Sequence, residues 1–190
     1  AAQLSPVSAM SVADFDNDGR DDLFLSQNWY STRPDVGRLD SGAGLILLGQ
    51  AEGQFQPVDS GRSGLRILGE NLNAAVADFD RDGRVDIIAP QTLGQAQYYL
   101  GQAEKRGIRL GFAPGTRLAK RLGGTVRLTY ADGSDSPRRW LHTGDGVLAQ
   151  GMVDVILGYA SWPVSIEIEW ANGQKQTIPV RSETYEYVVP

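Results

Sequence analysis

Apolar and polar residues alternate along much of this chain. Val126, Leu128 and Tyr130 are spaced by Arg127 and Thr129, and Ile166, Ile168 and Trp170 by Glu167 and Glu169. A period of two puts one set of side chains on one face of a strand. Each run ends at a turn pair, Asp132-Gly133 or Asn172-Gly173, so both read as hairpins. Upstream the apolar runs are short: "MSVA", "DLFLSQ", "GLILLGQ" (44–50), "GQFQPV" (53–58), "GLRILG" (64–69), "NAAVA", "VDIIAPQ" and "AQYYLGQ" (96–102). "TYEYVV" (184–189) reads as a last strand. No long segment carries a 3.6-residue period. The expected fold class is all-β, with a small β-sandwich or barrel-like sheet in the C-terminal half.

Two of these strand pairs enclose the same ten-residue pattern. "ADFDNDGRDD" spans residues 13–22 and "ADFDRDGRVD" spans residues 77–86. Without a gap, Asp14, Asp16, Asp18, Gly19, Arg20 and Asp22 align with Asp78, Asp80, Asp82, Gly83, Arg84 and Asp86. Four carboxylates so close repel one another, and a bound cation reverses the sign of that term. Aspartates at the first, third, fifth and ninth places, a glycine at the bend and a carbonyl at the seventh are the oxygen donors of a calcium loop. The expected ligands are therefore Asp14, Asp16, Asp18, the Arg20 carbonyl and Asp22 for one Ca²⁺. Asp78, Asp80, Asp82, the Arg84 carbonyl and Asp86 serve the other. An EF-hand is excluded, because its twelfth place needs a glutamate and here holds Leu25 or Ala89. Strands flank the loop where an EF-hand has helices, so structural calcium is expected rather than sensing calcium. The plainer alternative is a pair of Asp-Gly turns that bind nothing.

Composition narrows the function. The chain has 190 residues, 41% hydrophobic and 22% charged, as expected of a globular protein. Without cysteine and with one histidine, His142, it has little from which to build a zinc site or a histidine-based triad. Residues 1–100 carry 7 Lys/Arg against 14 Asp/Glu, and residues 101–190 carry 11 against 9. The acidic excess lies in the two loops, which disfavours a nucleic-acid binder. No run approaches the roughly 18 apolar residues of a membrane span. The start at Ala1 is expected to mark a processed or excised piece.

"VADFDNDGRDDLFL" and "VADFDRDGRVDII" resemble FG-GAP/VCBS repeats, the calcium-bearing blades of integrin-α-type β-propellers, over roughly residues 8–103. The resemblance implies two four-stranded blades, a partial or fragment propeller, because a closed one takes about four to eight. The expected domains are 1–105 for the blades and 106–190 for the rest. The latter resembles the ASPIC/UnbV domain that follows such repeats in secreted bacterial and cartilage acidic protein-type proteins. "HTGDGVLAQ" (142–150), "DVILGYA" (154–160) and "IEIEWANGQKQTI" (166–178) carry that likeness, with Ala149 and Ala171 departing from the family pattern.

Other residues have plainer readings. Glu167 and Glu169 share a strand face, as a solvated amphipathic strand would. His142 beside Asp145 has no nucleophile motif nearby. Lys105, Arg106, Arg109, Arg117, Lys120, Arg121, Arg127, Arg138 and Arg139 form a basic region that can meet the acidic blades, an anionic polysaccharide or a membrane surface, or can be solvated. Trp140, Trp162 and Trp170 fit sugar stacking or a buried sheet. The expectation is an exported, non-catalytic calcium-binding module (extracellular, cell-surface or periplasmic) for adhesion or assembly, with protein subunits or glycan as partner. The alternative is part of a carbohydrate-active or other propeller enzyme whose site is completed by missing blades or a partner chain.

Overall fold

The structure, a computed structural model, describes residues 5–30, 35, 37, 41–114, 122–142 and 154–190. These residues form fourteen strands in four sheets, so the all-β class holds. No helix among them is long and apolar enough to cross a membrane.

The first sheet is an antiparallel meander of β1 (Val7–Ala13), β2 (Asp22–Gln27), β3 (Leu45–Gly49) and β4 (Phe55–Val58). Its register sets Val12, Leu23, Leu47 and Pro57 in one row, and Ser11, Phe24, Ile46 and Val58 in the next. Rows alternate between faces, so both faces are largely apolar. One turn of helix, α1 (Ser60–Ser63), leads away from this sheet, capped by the Asp59 side chain accepting from the Arg62 N–H. The second sheet holds β5 (Ala75–Ala77), β6 (Asp86–Ala89) and β7 (Gln97–Tyr99), with Val76, Ile87 and Tyr99 in one row.

Two expectations fail here. "GLRILG" (64–69) forms no strand, although Leu65 and Ile67 are buried. Ile67 donates its N–H to Ala43 and the segment runs between the sheets, so the apolar alternation serves packing without a ladder. The second unit has three strands among the described residues rather than four. "LGQAE" occurs at 48–52 and again at 100–104. After the first copy the chain turns back as β4. After the second it continues into β8 (Ile108–Phe112), which pairs with other strands. Ile108 and Leu110 are fully buried there, and burying each aliphatic side chain is worth about 1.5–3 kcal/mol.

The C-terminal half forms the remaining sheets from β9 (Thr125–Thr129), β10 (Arg139–Trp140), β11 (Val155–Leu157), β12 (Ser165–Glu169), β13 (Lys175–Pro179) and β14 (Glu186–Val189). Their orders are β10-β9-β12-β13 and β11-β8-β14, with β14 parallel to β8. The two hairpins form as expected. At the second, Trp170 donates to Gln174 and Gly173, at φ 80°, donates back to Trp170. Val126, Leu128, Ile166, Ile168 and Trp170 from one sheet meet Ile108, Leu110, Leu157 and Val189 from the other in one core. A second core joins the loop-bearing sheets through Phe24, Leu65, Ile67, Val76 and Ile87, and β11 adds Ile156 to it.

Candidate metal centres

Each aspartate loop joins the first two strands of its sheet: 14–21 between β1 and β2, 78–85 between β5 and β6. The fourth and sixth places are left-handed in both, at Asn17 (φ 57°) and Gly19 (φ 96°), and at Arg81 (φ 63°) and Gly83 (φ 84°). Asparagine tolerates that region better than arginine does.

The carboxylates organise the turn. Asp14 accepts the N–H groups of Asp18 (3.0 Å) and Gly19 (2.9 Å), and Asp78 those of Asp82 (3.0 Å) and Gly83 (3.1 Å). Asp16 and Asp80 accept from Asp18 and Asp82, both at 3.2 Å. Asp18 and Asp82 accept from Arg20 and Arg84, both at 2.8 Å. The ninth-place aspartates latch the loop to the end of the third strand in the first sheet and to the residues just after it in the second. Asp22 takes the N–H of Phe15 and of Gly49, and Asp86 takes those of Phe79 and of Gly101. Gly49 and Gly101 allow that approach. A Cβ at Gly49 would collide with the Asp21 carbonyl, and one at Gly101 would lie 2.6 Å from the Val85 carbonyl.

Carboxylate oxygens of Asp14, Asp16 and Asp18 lie within 4.8 Å of one another, as do those of Asp78, Asp80 and Asp86. Either triad can hold a metal ion. Asp22 and Asp82 stand outside these triads. Asp22 has an N–H on each oxygen, and Asp82 is paired with the Arg84 guanidinium at 2.7 Å. Asp18 is likewise paired with the Arg20 guanidinium.

Burial makes the clusters costly when all the carboxylates are charged. Asp14 is fully buried and its carboxyl is pushed up to about 6, despite the opposing Arg139 cation. Burial raises Asp22 to about 7. Asp16 and Asp78 are also raised, again chiefly by burial.

The C-terminal half brings its own cations to these loops. Arg139 on β10 places Nη2 2.8 Å from Asp14, 3.3 Å from Asp21 and 3.2 Å from the Arg20 carbonyl, the expected seventh-place ligand. Its Nη1 donates to the Ile156 carbonyl at 3.0 Å. Arg109 on β8 sits 3.9 Å from Asp78 and forks onto Asp154. Arg106 donates to the Asp82 carbonyl at 2.8 Å. The two loops also touch, with the Asn17 amide donating to the carbonyls of Gly83 and Lys105. Gly158 packs on the first loop, where a Cβ would collide with the Asp14 carboxylate.

Of the basic region, Arg106, Arg109 and Arg139 thus meet the acidic loops, while Arg117, Lys120 and Arg121 lie outside the described residues. Local spacing carries no sign of the pairing of Arg139 with Asp14, because it spans 125 positions. Glu167 is held by Arg127 at 2.6 Å and Glu169 by Arg138 at 3.0 Å, the arrangement of a solvated strand face. His142 lines a cavity of about 310 Å³ with Trp140, Val12, Val76 and Ile156, and Asp145 lies outside the described residues. Trp170 is buried in the core, Trp162 packs edge-on against Tyr159 and Tyr185, and Trp140 is exposed.

The donor set suits a hard cation. All the side-chain donors are carboxylate oxygens, with no nitrogen or sulfur. Ligands about 2.3–2.6 Å from one ion lie at most about 5 Å apart, which is the spread within each triad. No protein-family model matches the chain, and no curated protein matches it significantly in sequence.

Proposed function

We infer that this chain is a calcium-stabilised β module whose work is binding or assembly, outside the cytosol, with protein or glycan as partner. The two loop-bearing sheets are read as propeller-type blades of the FG-GAP/VCBS kind, and the C-terminal sheets as a small ASPIC/UnbV-like sandwich. The observation that carries the reading is an acidic triad in each of two equivalent loops with equivalent hydrogen bonds, built on the first- and third-place aspartates in both and completed by the fifth-place Asp18 in one and the ninth-place Asp86 in the other. Calcium would be held by Asp14, Asp16 and Asp18 in one loop and by Asp78, Asp80 and Asp86 in the other. The Arg20 and Arg84 carbonyls and the carboxylates of Asp22 and Asp82 complete each set as the loops close on the ion. Its charge offsets the repulsion and burial that raise Asp14 and Asp78. Extracellular modules bind calcium at about 10⁻⁴–10⁻³ M, a level the cytosol does not reach.

Thermal unfolding tests the reading. The chelator-treated chain is melted with and without about 1 mM calcium. A midpoint that climbs with calcium is expected, because an ion bound only by the folded state stabilises it. An unchanged midpoint removes the calcium reading.

A further inference from the structure

Arg139 stands among oxygens of the first loop. Its Nη2 lies 2.8 Å from Asp14 Oδ2, 3.2 Å from the Arg20 carbonyl and 3.3 Å from Asp21 Oδ1. The first two oxygens belong to expected calcium ligands. Asp14 Oδ2 also accepts the Gly19 N–H at 2.9 Å, so both of its lone pairs are taken. Nη1 donates to the Ile156 carbonyl at 3.0 Å, which anchors the guanidinium in that place. Asp14 is fully buried and the arginine side chain nearly so, and solvent ions screen such a contact little.

The second loop differs at the matching place. Arg109 also comes from the C-terminal half, but its fork goes to Asp154, at 3.0 and 2.6 Å. It approaches Asp78 Oδ2 only to 3.9 Å, beyond a hydrogen bond. Arg106 donates to the Asp82 carbonyl, which is not an expected ligand. Arg20 and Arg84 act alike in the two loops, on Asp18 and Asp82. Among the described residues, the first loop alone has a guanidinium from the C-terminal half bonded to its ligand oxygens.

We propose that Arg139 is a built-in competitor for the first cation site, holding Asp14 and the Arg20 carbonyl in the metal-free chain and withdrawing when calcium binds. The inference rests on the calcium reading of that loop. Two positive charges on one set of buried oxygens repel each other, so each weakens the hold of the other. Arg139 has room to withdraw, because it lines the cavity of about 310 Å³ together with Asp21, Asp154 and His142. The coupling is reciprocal: calcium loosens the grip of β10 on the first loop by the factor by which Arg139 weakens calcium. The first loop thereby ties ion binding to the seating of the C-terminal sheets, and the second does not.

Calorimetric titration with calcium chloride tests it, one loop at a time. Asp80→Asn disables the second loop, so that chain reads the first alone. Adding Arg139→Gln to it is expected to tighten calcium about tenfold or more. Adding Arg139→Lys keeps the charge and is expected to change the affinity by less than about threefold. In the Asp16→Asn chain, which keeps only the second loop, Arg139→Gln is expected to leave the affinity as it was. Hydrogen exchange on the wild-type chain gives a reading that needs no variant. β10 pairs with β9 over only two positions, so calcium is expected to speed amide exchange at 138–141 as Arg139 withdraws. A first-loop affinity that Arg139→Gln leaves unchanged or weakens overturns the proposal. So does equal tightening at both loops, or exchange at 138–141 that calcium slows or leaves alone. Calcium bound at the second loop beside a first loop indifferent to Arg139 overturns this inference alone, whereas no binding at either loop removes the calcium reading with it.

Discussion

Replacing Arg139 with glutamine tests how the C-terminal half stabilises the first loop. Asp14 is fully buried, and the Arg139 side chain is 13% exposed with Nη2 2.8 Å from the carboxylate. Removing one partner of a buried pair costs about 3–5 kcal/mol, because the other charge is left uncompensated. Protonation limits that loss. The Asp14 carboxyl already stands at about 6 with the arginine present, against 3.8 for the free group. Moving it that far costs about 3 kcal/mol at pH 7. Arg139→Gln raises it further, so at pH 5 both proteins hold the proton and differ mainly by the lost hydrogen bonds. In urea unfolding with chelator, the variant is expected to be less stable by about 3 kcal/mol at pH 7.5, and by about 1 kcal/mol at pH 5. Calcium at pH 7.5 should shrink the deficit by supplying a cation to the same carboxylate. A deficit equal at both pH values and insensitive to calcium would refute the reasoning, because it would locate the effect in packing alone.

Other outcomes follow from the same geometry. The metal-free chain should lose stability as pH rises from 4 to 7, because folded Asp14 and Asp22 keep protons to about 6 and about 7 while unfolded aspartates lose theirs near 4. Melting in saturating calcium should flatten or invert that slope. Gly158→Ala drives a methyl into the Asp14 carboxylate and should cost about 2 kcal/mol or more by urea unfolding, with weaker calcium binding. Trp170→Ala, in the C-terminal core, should cost about 3–5 kcal/mol while leaving calcium stoichiometry unchanged. Glu167→Gln breaks a part-exposed cross-strand pair with Arg127 and should change stability by less than about 1 kcal/mol.

Much of the fold was legible because strands write their burial into a period of two. The runs at 125–130 and 165–170 and their Asp-Gly and Asn-Gly turns appear in the structure as read. The loops were legible because glycine at the sixth place and aspartates at odd places are each demanded by a local geometry. "GLRILG" misled because alternation reports which side chains are buried, and Leu65 and Ile67 are buried without a neighbouring strand to bond. The fate of "LGQAE" was hidden for a similar reason. The same five residues lead into β4 in one unit and toward β8 in the other, and the choice lies in the distant strands β11 and β14 that β8 joins. Arg139 and Arg109 stood out only as members of a basic region. Their partners, Asp14 and Asp78, are set by how the C-terminal sheets seat on the loops, which no local pattern encodes.

Calorimetric calcium titration of the chelator-stripped chain tests the central claim most directly. The account predicts two ions per wild-type chain, and one per chain for Asp16→Asn and for Asp80→Asn, each of which disables one loop. Protons should be released on binding near pH 6, where Asp14 still holds its own. No heat of binding, or a stoichiometry unchanged by both substitutions, would contradict it.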